Sequence, residues 1–298
     1  MDIPSGKNEQ KRLLRSLMNI RMPQEADPEF IKIQDEYLQQ ENEEKGVVTL
    51  DDIEEVCNDI YVWKGDITRL KVGAIVNAAN SGMTGCYQPC HNCIDNCIHT
   101  YAGVQLRYKC NQIMRAQGHE EPTGQAKITP AYNPLCDHVI HTVGPIVQGR
   151  LTEKHKKQLE SCYKNCLETA DKNNINSIAF CCISTGVFMF PNDKAAEIAI
   201  KIVKKYKEET GSNIKVVFNV FKDEDEESYW GYWSKQAVLG GIELDVTSLH
   251  KTLLNALDDK KIFVFSTNAD AQFVKAGLSE DKIFRFSCRS NRQKACTF

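Results

Sequence analysis

No apolar run in this chain reaches the roughly 18 residues that a membrane-spanning helix needs, so a span is excluded on length alone. The first residues, MDIPSGKNEQKRLL, lack the apolar core of a secretory signal, and the protein is expected to be intracellular and cytoplasmic. An excess of charge is also missing. The formal balance is −3 and the pI about 6.2, which leaves nothing to favour nucleic acid or an anionic membrane as the main partner. A paired cysteine framework is lacking too. The thirteen cysteines are odd in number, spread along the chain and in places embedded in apolar runs, as at Cys181 and Cys182, which suits reduced thiols. What remains is a chain of 298 residues, 42% hydrophobic, with room for roughly two domains and a real core.

Pattern divides it into three stretches. Residues 1–55 are charged and helical in period, with Leu13, Leu14, Leu17 and Met18, then Phe30, Ile33, Tyr37 and Leu38, spaced three or four apart around a break at Met22-Pro23. They read as two short helices packing on something larger. From about Cys57 strands and helices alternate: IYVWKGDI, VGAIVNAAN, a helix from Ile94 to about Met114, HVIHTVGP, a helix from Thr152 to Asn173, SIAFCCIS, a helix from Asn192 to Glu209, and IKVVFNVF. Short apolar strands separated by helices predict a three-layer α/β/α domain with a largely parallel or mixed sheet, residues 56–225. Ligands of such sheets bind at the carboxyl ends of the strands. The acidic run Asp223 to Glu227 reads as a solvated face or linker, and residues 226–298 as a separate appendage.

Between Gly85 and Gly103 the chain reads GCYQPCHNCIDNCIHTYAG, four cysteines, two histidines and an aspartate in a stretch that begins as loop and ends as helix. Cys86, His91 and Cys93 form C-x4-H-x-C, with Asp95 two residues beyond. Three such ligands suit Zn²⁺ and leave a coordination position open, as catalytic sites do, whereas Cys90 as a fourth thiolate would close it. A structural zinc knuckle, or merely buried cysteines, are the other readings of this spacing. Asp95 alone is a charge well placed for a helix N-terminus. His99, one turn further, reads as a packed or Asp-bonded histidine rather than a ligand.

The strand ends are distinctive in composition. The first closes in Gly65-Asp66-Ile67-Thr68, the second in Asn77-Ala78-Ala79-Asn80, and a later one in Ile183-Ser184-Thr185-Gly186-Val187-Phe188, a turn suited to cradling phosphate. Each taken singly is ordinary turn chemistry. In this order, with His99-Thr100-Tyr101-Ala102-Gly103 between them, they resemble the macrodomain family of ADP-ribose-binding proteins. The cysteine-histidine insertion and the helical N-terminal extension resemble the zinc-dependent members that remove ADP-ribose from proteins, over about residues 10–225.

That resemblance implies roles. Asp66 would accept the adenine amino group with the Ile67 N–H beside it, Asn80 would contact the distal ribose with Asn77 nearby, and residues Ser184, Thr185, Gly186, Val187 and Phe188 would wrap the diphosphate. Asp95, with Asn80, would stand at the scissile bond, and Zn²⁺ on Cys86, His91 and Cys93 would stabilise negative charge on oxygen or lower the pKa of a bound water toward about 7. Met189 departs from the glycine that the family places after the aromatic. The implied function is zinc-dependent hydrolysis of mono-ADP-ribose from Asp or Glu side chains, attack falling at the anomeric or the acyl carbon. The other class is a non-catalytic reader that holds ADP-ribose, with zinc shaping the loop.

Toward the C-terminus, Leu249, Leu253, Leu254 and Leu257 predict a helix before the strand KIFVFSTNAD. The string Thr267-Asn268-Ala269-Asp270-Ala271-Gln272-Phe273 followed by Ala276-Gly277 resembles an internal segment of sirtuins, particularly those encoded beside zinc macrodomains. No GAGxS-type nucleotide loop precedes it, and Ser287-Cys288-Arg289 stands where catalytic-loop residues belong. The stretch reads as a partial sirtuin-like tail without transferase activity, which makes a sirtuin-type ADP-ribosyltransferase an expected partner beside ADP-ribose and the modified protein.

Overall fold

Two helices open the chain, as their apolar spacing predicts. In the computed structural model, which describes residues 3–238, 248–256, 263–266, 272–279 and 282–285, α1 spans Lys7–Ile20 and α2 spans Pro28–Glu44. Asp27 starts α2 by accepting the N–H groups of Glu29 and Phe30, and Pro28 stands at the first helical position, where no amide hydrogen is needed. Leu38 is buried, whereas Ile33 is 61% exposed, so the apolar stripe of α2 packs over only part of its length.

A seven-stranded mixed sheet follows, ordered β1-β2-β7-β6-β3-β5-β4. Its strands are β1 Glu55–Cys57, β2 Ile60–Lys64, β3 Ala74–Ala79, β4 Ala126–Pro130, β5 His138–Val143, β6 Ser177–Phe180 and β7 Lys215–Val220. The five central strands run parallel, and β1 and β4 pair antiparallel at the edges. Side chains alternate across each strand. On β5, His141 faces the helix α4 (Val104–Gln117) through Cys110, while the strand's other face meets α5 (Glu153–Lys172), whose Cys162 reaches back to the Val143 carbonyl. Helices therefore cover both faces, and the sheet core of Ile75, Val76, Val139, Ile140, Ile178, Val216 and Val217 is fully buried. The fold is the three-layer α/β/α architecture expected from the alternation.

Two expectations are corrected. The helix expected from Ile94 to Met114 is two, α3 (Ile94–Ala102) and α4, divided at Gly103. Gly103 sits at φ +92, and a Cβ there would meet Gln34 Nε2 at 2.5 Å. Gln34 needs that space, because its Oε1 accepts the Val104 N–H that opens α4. The acidic run from Asp223 is not a linker, although Asp223, Glu224 and Glu227 are exposed as a solvated face would be. It is the first turn of α7 (Asp223–Val238), where acidic side chains complement the helix dipole. There Asp225 is buried and accepts from Asn192, while Asp223 and Glu226 pair with Lys64.

The chain divides into two compact units, Met1–Tyr229 and Trp230–Phe298. Both N-terminal helices belong to the first, as does α6 (Asn192–Thr210), which packs along α5. In the second, α8 spans Ser248–Ala256, and β8 (Val264–Ser266) pairs in parallel with β9 (Ile283–Arg285) around the short α9 (Gln272–Lys275). Residues 267–271 and 287–289, which carry most of the sirtuin-like reading, lie outside the described residues. Among the described residues no helix is long and apolar enough to cross a membrane.

Candidate active site

Asp95 occupies the first turn of α3, buried to 5% exposure. Two strand-end amides hold its carboxylate. Asn77 Nδ2 donates to Oδ1 at 2.8 Å from the end of β3, and Asn80 Nδ2 donates to Oδ2 at 3.1 Å. Burial pushes the carboxyl up to about 6, against the opposing pull of Asn77, Arg107 and Asn80. His99, one turn along the helix, brings Nε2 within 3.6 Å of Asp95 Oδ1, too far for a hydrogen bond, and burial with His141 nearby drives its pKa well below the ordinary value. It is a packed, neutral imidazole, and Gly85 across from it has no room for a side chain, since a Cβ would lie 2.8 Å from the ring.

Cys86, His91 and Cys93 converge just ahead of this helix. Their ligand atoms lie within 4.8 Å of one another, with Cys86 Sγ 3.6 Å from His91 Nδ1, and all three residues are half-buried. Two thiols and an imidazole suit a borderline-soft cation such as Zn²⁺. Burial, with the neighbouring Cys86, pushes the Cys93 thiol up to about 12, so an ion bound between these groups would have to displace that proton. Cys90 is turned elsewhere. Its Sγ lies 3.1 Å from Ser16 Oγ and 3.5 Å from the Arg12 carbonyl, so it does not join the other three.

The loop from Cys86 to Cys93 is bolted to α1 by residues that the sequence reading missed. Arg15 donates to the His91 carbonyl at 2.8 Å and to Asn96 Oδ1 at 3.0 Å. Asn96 in turn donates to the carbonyls of Cys86 and Gln88, and Asn19 accepts the Cys90 N–H at 2.9 Å. Arg107, 4% exposed, donates to the carbonyls of Met18, Asn19, Arg21 and Cys86, satisfying the end of α1 and the start of the cysteine-histidine loop together. One signal could have revealed it. Arg107 lies three residues from both Val104 and Cys110, on the buried stripe of α4, where a charged side chain needs a built set of acceptors.

At the end of β2, Asp66 accepts from the Thr68 N–H and hydroxyl through Oδ1, leaving Oδ2 facing Lys45 Nζ at 3.3 Å. Lys45, at the end of α2, also lies over the Tyr101 ring, tying this strand end to α3. Beyond β6, Ser184 takes φ +68 and is buried, while Gly186 and Val187 are exposed at the tip. Among the described residues the N–H groups of Gly186, Val187 and Phe188 have no backbone carbonyl partner. The Val147 N–H fixes the loop by donating to the Phe188 carbonyl at 2.8 Å. Met189 holds the left-handed backbone, φ +55, that glycine takes more cheaply, and its side chain is 60% exposed instead of folded under the loop.

A mixed sheet whose parallel strands end in an acidic turn, a paired-asparagine turn bonded to a buried carboxylate and an open N–H loop agrees with the macrodomain class that the sequence resembles. The macro domain family model matches residues 76–199. A protein-ADP-ribose hydrolase of Treponema medium is 58% identical over 233 residues, 77% of this chain and 89% of that protein. One from Staphylococcus aureus strain COL is 47% identical over 237 residues, 79% and 89% of the two chains. Among solved structures, the Trypanosoma brucei macrodomain in complex with ADP-ribose aligns with a TM-score of 0.57 at 26% identity, covering 74% of this chain and 94% of its own. The chain belongs to the macrodomain family of protein-ADP-ribose hydrolases, and it is an enzyme.

Proposed function

We propose that the protein removes mono-ADP-ribose from Asp or Glu side chains of modified proteins, with Zn²⁺ held by Cys86, His91 and Cys93. The observation that carries this reading is Asp95, a buried carboxylate fixed by two strand-end amides at the start of the helix that follows the three metal-suited groups. When bound, the ion supplies charge stabilisation for an oxygen that becomes negative as the ester linkage breaks. Asp95 then orients, or takes a proton from, the attacking water. Its two oxygens are already oriented by Asn77 and Asn80, so little reorganisation accompanies the step. Asn80, exposed at the turn, meets the distal ribose. The open N–H groups of residues 186–188 receive the diphosphate, with Ser184, Thr185 and Phe188 shaping the loop around it. Asp66 Oδ2 is the acceptor for the adenine amino group, with Ile67 beside it.

The functional test is release of free ADP-ribose from a protein mono-ADP-ribosylated on Asp or Glu. Release is expected from wild type, and binding without release would overturn the reading. The adenine assignment has its own test. Asp66→Ala is expected to weaken ADP-ribose binding at least tenfold by calorimetric titration, because it removes a charge-assisted hydrogen bond of about 1.5–3 kcal/mol. Unchanged affinity would remove this strand end from the adenine subsite. A sirtuin-type ADP-ribosyltransferase is the partner that would supply such a substrate, on the likeness of the tail segment around Phe273 and Gly277.

A further inference from the structure

Directly across the sheet from Asn77 stands His141, its register partner on β5, and neither residue is exposed at all. His141 Nδ1 lies 3.1 Å from Asn77 Nδ2, the same nitrogen that donates to Asp95 Oδ1 at 2.8 Å. An amide nitrogen carries two hydrogens and accepts nothing, so one goes to Asp95 and the other to His141, whose Nδ1 must be unprotonated. The far side of the ring agrees. His141 Nε2 lies 3.0 Å from Thr129 Oγ1 and 3.8 Å from Cys110 Sγ, and the Thr129 hydroxyl has the Val139 carbonyl at 3.5 Å to receive its own hydrogen, leaving the oxygen free to accept from Nε2–H. Thr129 is 2% exposed, so water does not compete for these groups.

Turning the Asn77 amide over would put its oxygen against the Asp95 carboxylate and would require the other imidazole tautomer. The observed orientation leaves Asn77 Oδ1 buried without a partner, an unfavourable arrangement that persists because both N–H groups are engaged. Burial keeps His141 neutral, its pKa lowered to about 3, so the ring stays an acceptor at Nδ1. We infer that His141 is a positioning residue for the hydrolysis: held by Thr129 in its Nε2–H tautomer, it fixes the Asn77 amide that aims the Asp95 carboxylate. The inference rests on Asp95 acting in ADP-ribose release. It adds to that reading a relay of four side chains, Thr129 to His141 to Asn77 to Asp95, with no contact to the ligand implied for its first two members.

His141→Leu fills similar space and removes the acceptor, whereas His141→Asn keeps an acceptor near the Nδ1 position while filling the core less well. Release of ADP-ribose from an Asp/Glu-modified protein is expected to slow about tenfold in kcat for His141→Leu with KM within about twofold, and His141→Asn to recover most of that loss. Thermal midpoints provide the contrast, because packing alone would rank Leu above Asn. An Asn variant as slow as the Leu variant, or a Leu variant at the wild-type rate, would overturn the inference. Long-range ¹H–¹⁵N spectra of the wild-type protein test it independently: the Nε2–H tautomer of His141 is expected, and an Nδ1–H tautomer would overturn it. A wild type that releases no ADP-ribose would overturn the functional reading instead, and the tautomer would still decide the hydrogen-bond relay.

Discussion

Asp95→Ala is expected to cut the rate of ADP-ribose release by about 10²-fold or more while leaving ADP-ribose affinity within a few-fold. The split follows from position. Asp95 is buried at the start of α3, whereas the groups assigned to adenine and diphosphate lie on other strand ends, at Asp66 and residues 184–188. Removing the carboxylate also strips Asn77 and Asn80 of their acceptor, so some stability will be lost. Asp95→Asn controls for this by retaining shape and one acceptor oxygen. Both variants are expected to bind ADP-ribose and to release it slowly. Single-turnover measurement checks the rate, and an unimpaired Asp95→Asn would show that the charge is not used.

Cys93→Ser is expected to lower bound zinc from about one per molecule to near zero and to abolish release, since two remaining protein donors hold the ion far more weakly than three. Serine is chosen because Cys93 is also the N-cap of α3, its Sγ accepting the Asn96 N–H at 3.4 Å, and serine is a favourable cap. The helix start therefore survives the substitution. Metal analysis beside circular dichroism separates loss of the ion from loss of the fold. A Cys93→Ser protein that keeps a full equivalent of zinc would remove Cys93 from the ligand set.

The parts of this molecule set by local pattern were readable in the chain. Strands β2, β3, β5, β6 and β7 are near-continuous apolar runs because both their faces are covered, and the turn signals after β2, β3 and β6 marked the strand ends that carry the candidate site. Edge strands were not readable. β1 has only three residues, and β4 is half-buried and closes on Pro130, which an edge position tolerates. The break at Gly103 depended on Gln34, some seventy residues upstream and invisible to any local window. The same holds within the site. Cys86, His91, Cys93 and Asp95 share one short segment, so their proximity followed from spacing, whereas the positioning set of Arg15, Arg107 and His141 is assembled only by packing. His141 sits in the run HVIHTV with nothing local to separate it from an ordinary core histidine. Asn77, read singly as a loop residue and by resemblance as a ligand-site residue, lies inside β3, fully buried and bonded to Asp95.

Metal removal bears most directly on zinc-assisted hydrolysis as the proposed function of this chain. The protein as purified, the same protein stripped by a chelator with its thiols kept reduced, and the stripped protein given back one equivalent of Zn²⁺ are compared for release of ADP-ribose from an Asp/Glu-modified substrate. Release should be lost on stripping and restored by the added ion, with ADP-ribose binding retained throughout. Full release by the stripped protein would contradict the zinc-assisted chemistry, and binding without release in all three samples would leave a reader of ADP-ribose in place of a hydrolase.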